Sequence, residues 1–435
     1  MAETIRRRPS GIGSAPDPSR GGRRWDWPLL LVCAVVALAV GLSSPPHTSQ
    51  RVWGITAAAG YGCAAVVAAV SARRWARNAA LVALIGAVVV PLVYLTVIDR
   101  AQMEVGVVER GADLLFHTGT PYNSDPHAVP DFNPYLPGMA LFGIPRVLFG
   151  DSFLGSARLW FLVGFLAAVL GALRVSLKAG TSGGTSSGTG ATPAGTSGAT
   201  GFLWLIACPV VALPLTIGGV DPPVIALVCL ALAFTHRGQA GRAGLALGVA
   251  AALKWTAWPA VPVVVALLWL CRGKRDALRC AAGAAGIAVL SVVPVALVDI
   301  GAFYQNVVLY PLGLGPTQSS AESPLLGSLI VSVVPQGKAV AVGLILISAM
   351  AVGASLLLRP VRDVVSAADR LALGLILAIV LSPATRIGYA IYPVVLLLWP
   401  RFAVSLSRGE PPVVGDAAAP SERAPSAAAA AAVSD

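Results

Sequence analysis

The chain has 435 residues, of which 56% are hydrophobic and only 12% charged, with a mean hydropathy of +0.77. Soluble domains carry about 25% charged residues, so a soluble enzyme, a disordered protein and a disulfide scaffold are excluded as the main body. The composition requires a polytopic membrane protein, and the formal charge of +11 reads as topology rather than as nucleic-acid binding, because Lys and Arg collect in cytoplasmic loops.

Residues 1–27 hold Arg6, Arg7, Arg8, Arg23 and Arg24 and are expected to be a disordered, cytoplasmic basic arm before an uncleaved first helix. Apolar segments follow at 28–44, 52–71, 79–98, 154–176, 201–217, 221–236, 241–254, 256–271, 277–298, 338–358, 370–382 and 386–404. A further segment at 137–150 is short and broken by Pro145 and Arg146. Taken as not crossing, it leaves an all-α polytopic protein of about twelve transmembrane helices, each near the roughly 20 residues a span needs. Both termini are then cytoplasmic. The inner segments of that topology carry 23 of the 31 Lys and Arg, as the positive-inside rule expects. A Gly/Ser/Thr linker at 179–200 separates helices within 28–178 from helices within 201–404, and the Ala/Pro/Ser-rich tail 405–435 is expected to be disordered. Cys33, Cys63, Cys208, Cys229, Cys271 and Cys280 all lie in or beside apolar segments, so no disulfide framework is expected.

Two long loops fall on the outer side, 99–136 and 299–337. Loops longer than about 12–15 residues are usually functional or disordered, and the aromatics here argue against disorder. In the first loop, Val105, Val108, Ala112 and Leu115 form a helical stripe that Gly119 and Pro121 end. This predicts a helix lying on the membrane, with its other face toward a cavity. The loop also carries Asp99, Glu104, Glu109, Asp113, Asp125 and Asp131. A carboxylate at a cavity mouth suits a general base. Most of these acids are expected to be solvated or paired with Arg100 and Arg110.

This loop resembles the first outer loop of glycosyltransferase family 87, in the C-type superfamily of membrane glycosyltransferases. The matching residues are Glu104, Val107-Val108, Gly111-Ala112, Leu114-Leu115, Gly119 and Pro121-Tyr122, then Asn133-Pro134-Tyr135-Leu136-Pro137-Gly138. RAGLALGVAAALKWTAWPAVPVV (242–264) is similar to a later family segment and aligns its Lys with Lys254; LSPATRIGYAIYP (381–393) is similar to its penultimate loop. The resemblance runs from about residue 79 to 404. It implies C-type architecture, a polyprenyl-phosphate sugar donor (mannose first, arabinofuranose second) and a glycolipid or polysaccharide acceptor outside the membrane. It implies Glu104 as the base, with Asp99 in reserve, and Lys254 on the donor phosphate; Arg386, in an outer turn after Pro383, either pairs with that phosphate or anchors at the interface. Tyr122, Asn133, Tyr135, Asp221 and Tyr389 are the candidate substrate contacts. Two departures stand out. The family's acid is commonly Asp, and members acting on phosphatidylinositol mannosides carry a late His where this chain has Arg386 and Tyr389.

Three other readings come from the residues themselves. Lys254 lies between apolar runs beside Trp255 and Trp258, so it either contacts phosphate or snorkels to the interface. Asp221, before Pro222-Pro223, is favoured as a helix cap over a sugar contact. Phe303, Tyr304 and Tyr310 are favoured as interfacial anchors over sugar-stacking groups. His117 and His127 show no tight ligand spacing, so neither a metal nor another cofactor is expected. The rival class is a transporter or flippase of a lipid-linked sugar, but the internal repeats common in transporters are not visible.

Overall fold

The computed structural model describes residues 18–71, 75–180, 195–315, 317, 323 and 325–408. Every regular element among them is helical. Hydrocarbon offers no partner to a bare N–H or C=O, so a span must satisfy its own backbone. Among the described residues, eight helices are long and apolar enough to cross a bilayer: Ser49–Val70, Trp75–Val97, Ala157–Leu177, Trp255–Arg272, Lys274–Val298, Gly337–Leu358, Val364–Leu381 and Ile387–Val404. Thr200–Ala207 and Pro209–Ile217, bent by 64°, make a ninth if they are one broken span. Trp27–Ser43, Asp221–His236 and Ala240–Leu253 fall on the remaining expected spans but are shorter. Length therefore supports eight or nine spans, against the twelve expected. Asp221–His236, of 16 residues, reaches about 24 Å, short of a hydrocarbon core of about 30 Å. It is nonetheless sheathed by neighbouring helices and mostly buried.

Pro137–Phe149 does not cross. At its start, the Leu136 N–H donates to Leu253 O (3.1 Å). Toward its end, Arg146 faces Glu109 (3.9 Å), whose Oε1 also accepts from the Ala157 N–H (2.9 Å). Both ends therefore stay at one end of the bundle. The helix Pro18–Ser43 begins inside the stretch expected to be an arm, and helix also covers 179–180, 195–200 and 405–408. The rest of the expected arm, linker and tail lies outside the described residues.

The helices meet through small residues. A Cβ on Gly54 would lie 2.4 Å from Gly41 Cα, and one on Gly60 would lie 2.6 Å from Gly86 Cα. Backbones in hydrocarbon gain van der Waals contact by such close approach. Gly86 lies in a π-helical turn, Ile85–Val89. The Ala87 carbonyl in that turn accepts the Trp53 indole N–H (2.8 Å) and the Thr216 hydroxyl (3.3 Å). At the bend before Pro209, the Tyr61 hydroxyl donates to Ala207 O (2.5 Å). Both irregular turns are thus held by side chains from other helices.

The basic connections gather at one end. Gly238–Arg242 line a recess with Asp276 and Arg279, and Arg401 pairs with Asp369 (2.7 Å). The start of the helix Met103–Thr118, residues 129–135, Tyr310 and Pro311, and the turns at 219–221, 254–256 and 384–389 gather at the other end, around one cavity.

Candidate active site

The cavity has a volume of about 420 Å3, within the roughly 300–1,000 Å3 usual for ligand pockets. Its first wall is the loop helix Met103–Thr118, which the stripe predicted. The orientation differs from the one expected. Val105, Val108 and Ala112 are buried in the protein, not turned to lipid, because Pro137–Gly143 packs against them. Glu104 shares that buried side and faces the cavity; Asp113, Phe116 and His117 take the exposed side. The start of the helix is fixed by the Gln102 N–H, which donates to Ile217 O (2.8 Å). There the chain turns through Gly218 at φ 89, where a Cβ would lie 2.5 Å from Val105 Cγ2. That turn delivers Asp221 to the same cavity.

Asp221 does not cap its helix. Its Oδ1 accepts from Lys254 Nζ (2.5 Å) and from the Tyr392 hydroxyl (2.6 Å), and the Thr256 hydroxyl donates to Tyr392 (2.6 Å). Lys254 interrupts two helices in extended conformation, at φ −157 and ψ 144. Its ammonium lies 4.7 Å from the Tyr389 ring centroid and 5.6 Å from that of Tyr135. It therefore points inward and does not snorkel. Across the cavity, Arg386 Nη1 pairs with Glu104 Oε1. Glu104 Oε2 is buried without a hydrogen-bond partner among the described residues. Two acids and two bases thus line one cavity in two pairs.

Of the nine residues expected to carry function, Glu104, Tyr135, Asp221, Lys254, Arg386 and Tyr389 line this cavity. Asp99, Tyr122 and Asn133 do not. Asp99 is exposed at φ 48 after the span Trp75–Val97, and its charge acts on Glu109 and Arg158. Burial pushes the Glu109 carboxyl up, while the Ala157 N–H and Arg146 pull it back. Tyr122 donates to Tyr135 O (2.9 Å) and packs edge-on against Phe303. Asn133 binds Pro121 O through its side chain (3.1 Å). His117 and His127 are exposed beside Asp113 and Asp125. Hydrogen bonds from the Ala128 and His127 N–H groups hold the Asp131 carboxyl below its usual range.

The second loop closes over the first. Asn306 is fully buried: its Oδ1 accepts from the Asn133 N–H (2.8 Å) and its Nδ2 donates to Asn123 O (2.9 Å). Tyr310 stacks on Phe132 at 4.2 Å and reaches the cavity wall. Phe303 and Tyr310 are therefore packing groups between loops, whereas Tyr304 is half exposed.

The sequence model of glycosyltransferase family 87 matches residues 133–383, more than half of the chain. The chain belongs to glycosyltransferase family 87. It is a multi-pass membrane glycosyltransferase, and the cavity is the candidate catalytic centre. No curated protein and no solved structure gives a match. Tyr135, Asp221 and Lys254 lie inside the family match; Glu104, Arg386 and Tyr389 lie outside it. Sequence reasoning missed Tyr392, Thr256 and Asn306. Tyr392 follows Tyr389 by three residues, one helical turn, and that spacing was the available signal.

Proposed function

We propose that this family member transfers a sugar from a polyprenyl-phosphate donor to a lipid-linked glycan or envelope polysaccharide on the outer side of the plasma membrane. Mannose is the first candidate sugar and arabinofuranose the second. The observation that carries the reading is the meeting of Glu104 and Arg386, 282 positions apart, in one cavity with Lys254. The chemistry needs a carboxylate and cations in that relation.

In the proposed reaction, the acceptor hydroxyl oxygen attacks the anomeric carbon. Its proton passes to Glu104. The bond from that carbon to the phosphate oxygen breaks, and polyprenyl phosphate leaves with the electron pair. Attack opposite the leaving group inverts the anomeric configuration. Lys254 and Arg386 stabilise the negative charge gathering on the leaving phosphate. The Tyr135 and Tyr389 rings, which face Lys254, supply flat surfaces for a sugar.

The test is transfer by purified protein in liposomes. Radiolabelled polyprenyl-phosphate mannose is supplied first, then the arabinofuranose donor, each with an envelope lipid extract as acceptor. Label entering a new glycolipid is the expected result. Movement of donor across the bilayer without covalent change to any acceptor would overturn the reading in favour of a flippase.

A further inference from the structure

We propose that the donor phosphate switches on its own base: Arg386 holds Glu104 in the empty cavity, and the incoming phosphate draws Arg386 away and bares the carboxylate. The inference rests on the reading above, in which Arg386 meets the donor phosphate and Glu104 is the base. It adds a competition between the two anions for one guanidinium, and hence an order in which donor binding precedes deprotonation of the acceptor.

The two ion pairs of the cavity are built differently. Asp221 is held on three sides: by Lys254, by the Tyr392 hydroxyl, and through Tyr392 by Thr256. Lys254 is fixed further by the Tyr389 and Tyr135 rings. That pair belongs to the frame. In the other pair, Glu104 offers Oε1 to Arg386 and keeps Oε2 without a hydrogen-bond partner among the described residues. Exposure separates the pairs as well. The Arg386 side chain is 30% exposed, against 8% for Glu104, 9% for Lys254 and 13% for Asp221. A phosphate entering the cavity therefore meets Arg386 first among the four charges.

The charges of the cavity sum to zero, so a phosphodiester entering it adds an unpaired negative charge. Burying an unpaired charge is strongly unfavourable; Lys254 is held by Asp221, and Arg386 is the more exposed of the two cations. A guanidinium binds phosphate and carboxylate through the same forked N–H groups, so the phosphate displaces Glu104 from it. Glu104 is then a buried carboxylate without its cation. Both of its oxygens are then open to an acceptor hydroxyl at the moment the donor is seated.

By reciprocity, if phosphate and Glu104 compete for Arg386, removing the Glu104 charge must tighten phosphate binding. The probe is farnesyl phosphate, a short lipid phosphate without sugar, titrated into full-length protein in detergent. Glu104→Gln is expected to bind it at least threefold tighter than the wild type. Arg386→Gln is expected to bind it weaker, and the double variant to match Arg386→Gln alone. Equal or weaker binding by folded Glu104→Gln overturns the switch. Should that variant fail to fold, the wild type decides. Labelling of Glu104 by an isoxazolium salt, which attacks the ionised carboxylate, is expected to rise when farnesyl phosphate draws Arg386 away. Unchanged or reduced labelling overturns the proposal. A wild type that does not bind farnesyl phosphate at all sinks the lipid-phosphate reading itself, which is a separate failure.

Discussion

Tyr392 carries no charge at neutral pH, yet it sets how Asp221 sits. Its hydroxyl accepts from Thr256 and donates to Asp221, which in turn holds Lys254. A hydrogen bond to a charged group contributes about 1.5–3 kcal/mol, so Tyr392→Phe is expected to cut transfer about tenfold while the protein stays folded. Rates equal to wild type would show that Lys254 needs no such support. Asp221→Asn tests the same frame more severely. Taking away one partner of a buried ion pair costs about 3–5 kcal/mol, so its melting temperature in detergent should fall. At this scale the sequence was partly legible. A Lys set in an apolar stretch just before Trp255 and Trp258 is unusual enough to mark itself. The role of Asp221 was not legible, because an Asp before two prolines reads as a cap until the Lys254 ammonium is seen beside it.

At the scale of elements, the helices depend on bare backbone contacts at Gly41–Gly54 and Gly60–Gly86. Overpacking costs about 1–3 kcal/mol. Gly60→Val should therefore lower the melting temperature in detergent by several degrees. Gly62, with open space around it, is the control; Gly62→Val should leave melting unchanged. Equal effects at both sites would contradict the close approach. A second junction is Asn306, which joins the two long loops. Asn306→Ala leaves the buried Asn133 N–H without its acceptor, at a cost of about 1–3 kcal/mol, and should make the loop 119–136 more sensitive to protease. Periodicity gave the helix Met103–Thr118, because apolar positions at a spacing of three and four admit little else, and Gly119 marked its end. It did not give the helix's orientation. A stripe of Val and Ala suits lipid and protein equally, and only the packing of Pro137–Gly143 decides between them. The π turn around Ala87 was likewise invisible, since its donors, Trp53 and Thr216, are distant in sequence.

For the whole molecule, composition alone fixed the class, because hydrocarbon permits few architectures. The number of crossings was harder to read. A helix as short as Asp221–His236 survives by being buried among others, which hydropathy does not distinguish from a span. The basic turns at one end and the cavity at the other define a single polarity, for which the positive-inside rule predicts an outward-facing cavity. In a background carrying Cys271→Ser, Asp125→Cys should react with an impermeant maleimide on intact cells. Arg275→Cys should react only after permeabilisation. The reverse pattern would put the cavity on the cytoplasmic side. The central claim is that the cavity around Glu104 is the catalytic centre, and one comparison tests it most directly: transfer by Glu104→Gln and Asp99→Asn side by side in liposomes, each shown to be folded. General-base catalysis contributes roughly 10²–10⁴-fold, so Glu104→Gln should lose at least a hundredfold while Asp99→Asn stays close to wild type. An active Glu104→Gln beside a dead Asp99→Asn would contradict the account and move the chemistry out of the cavity.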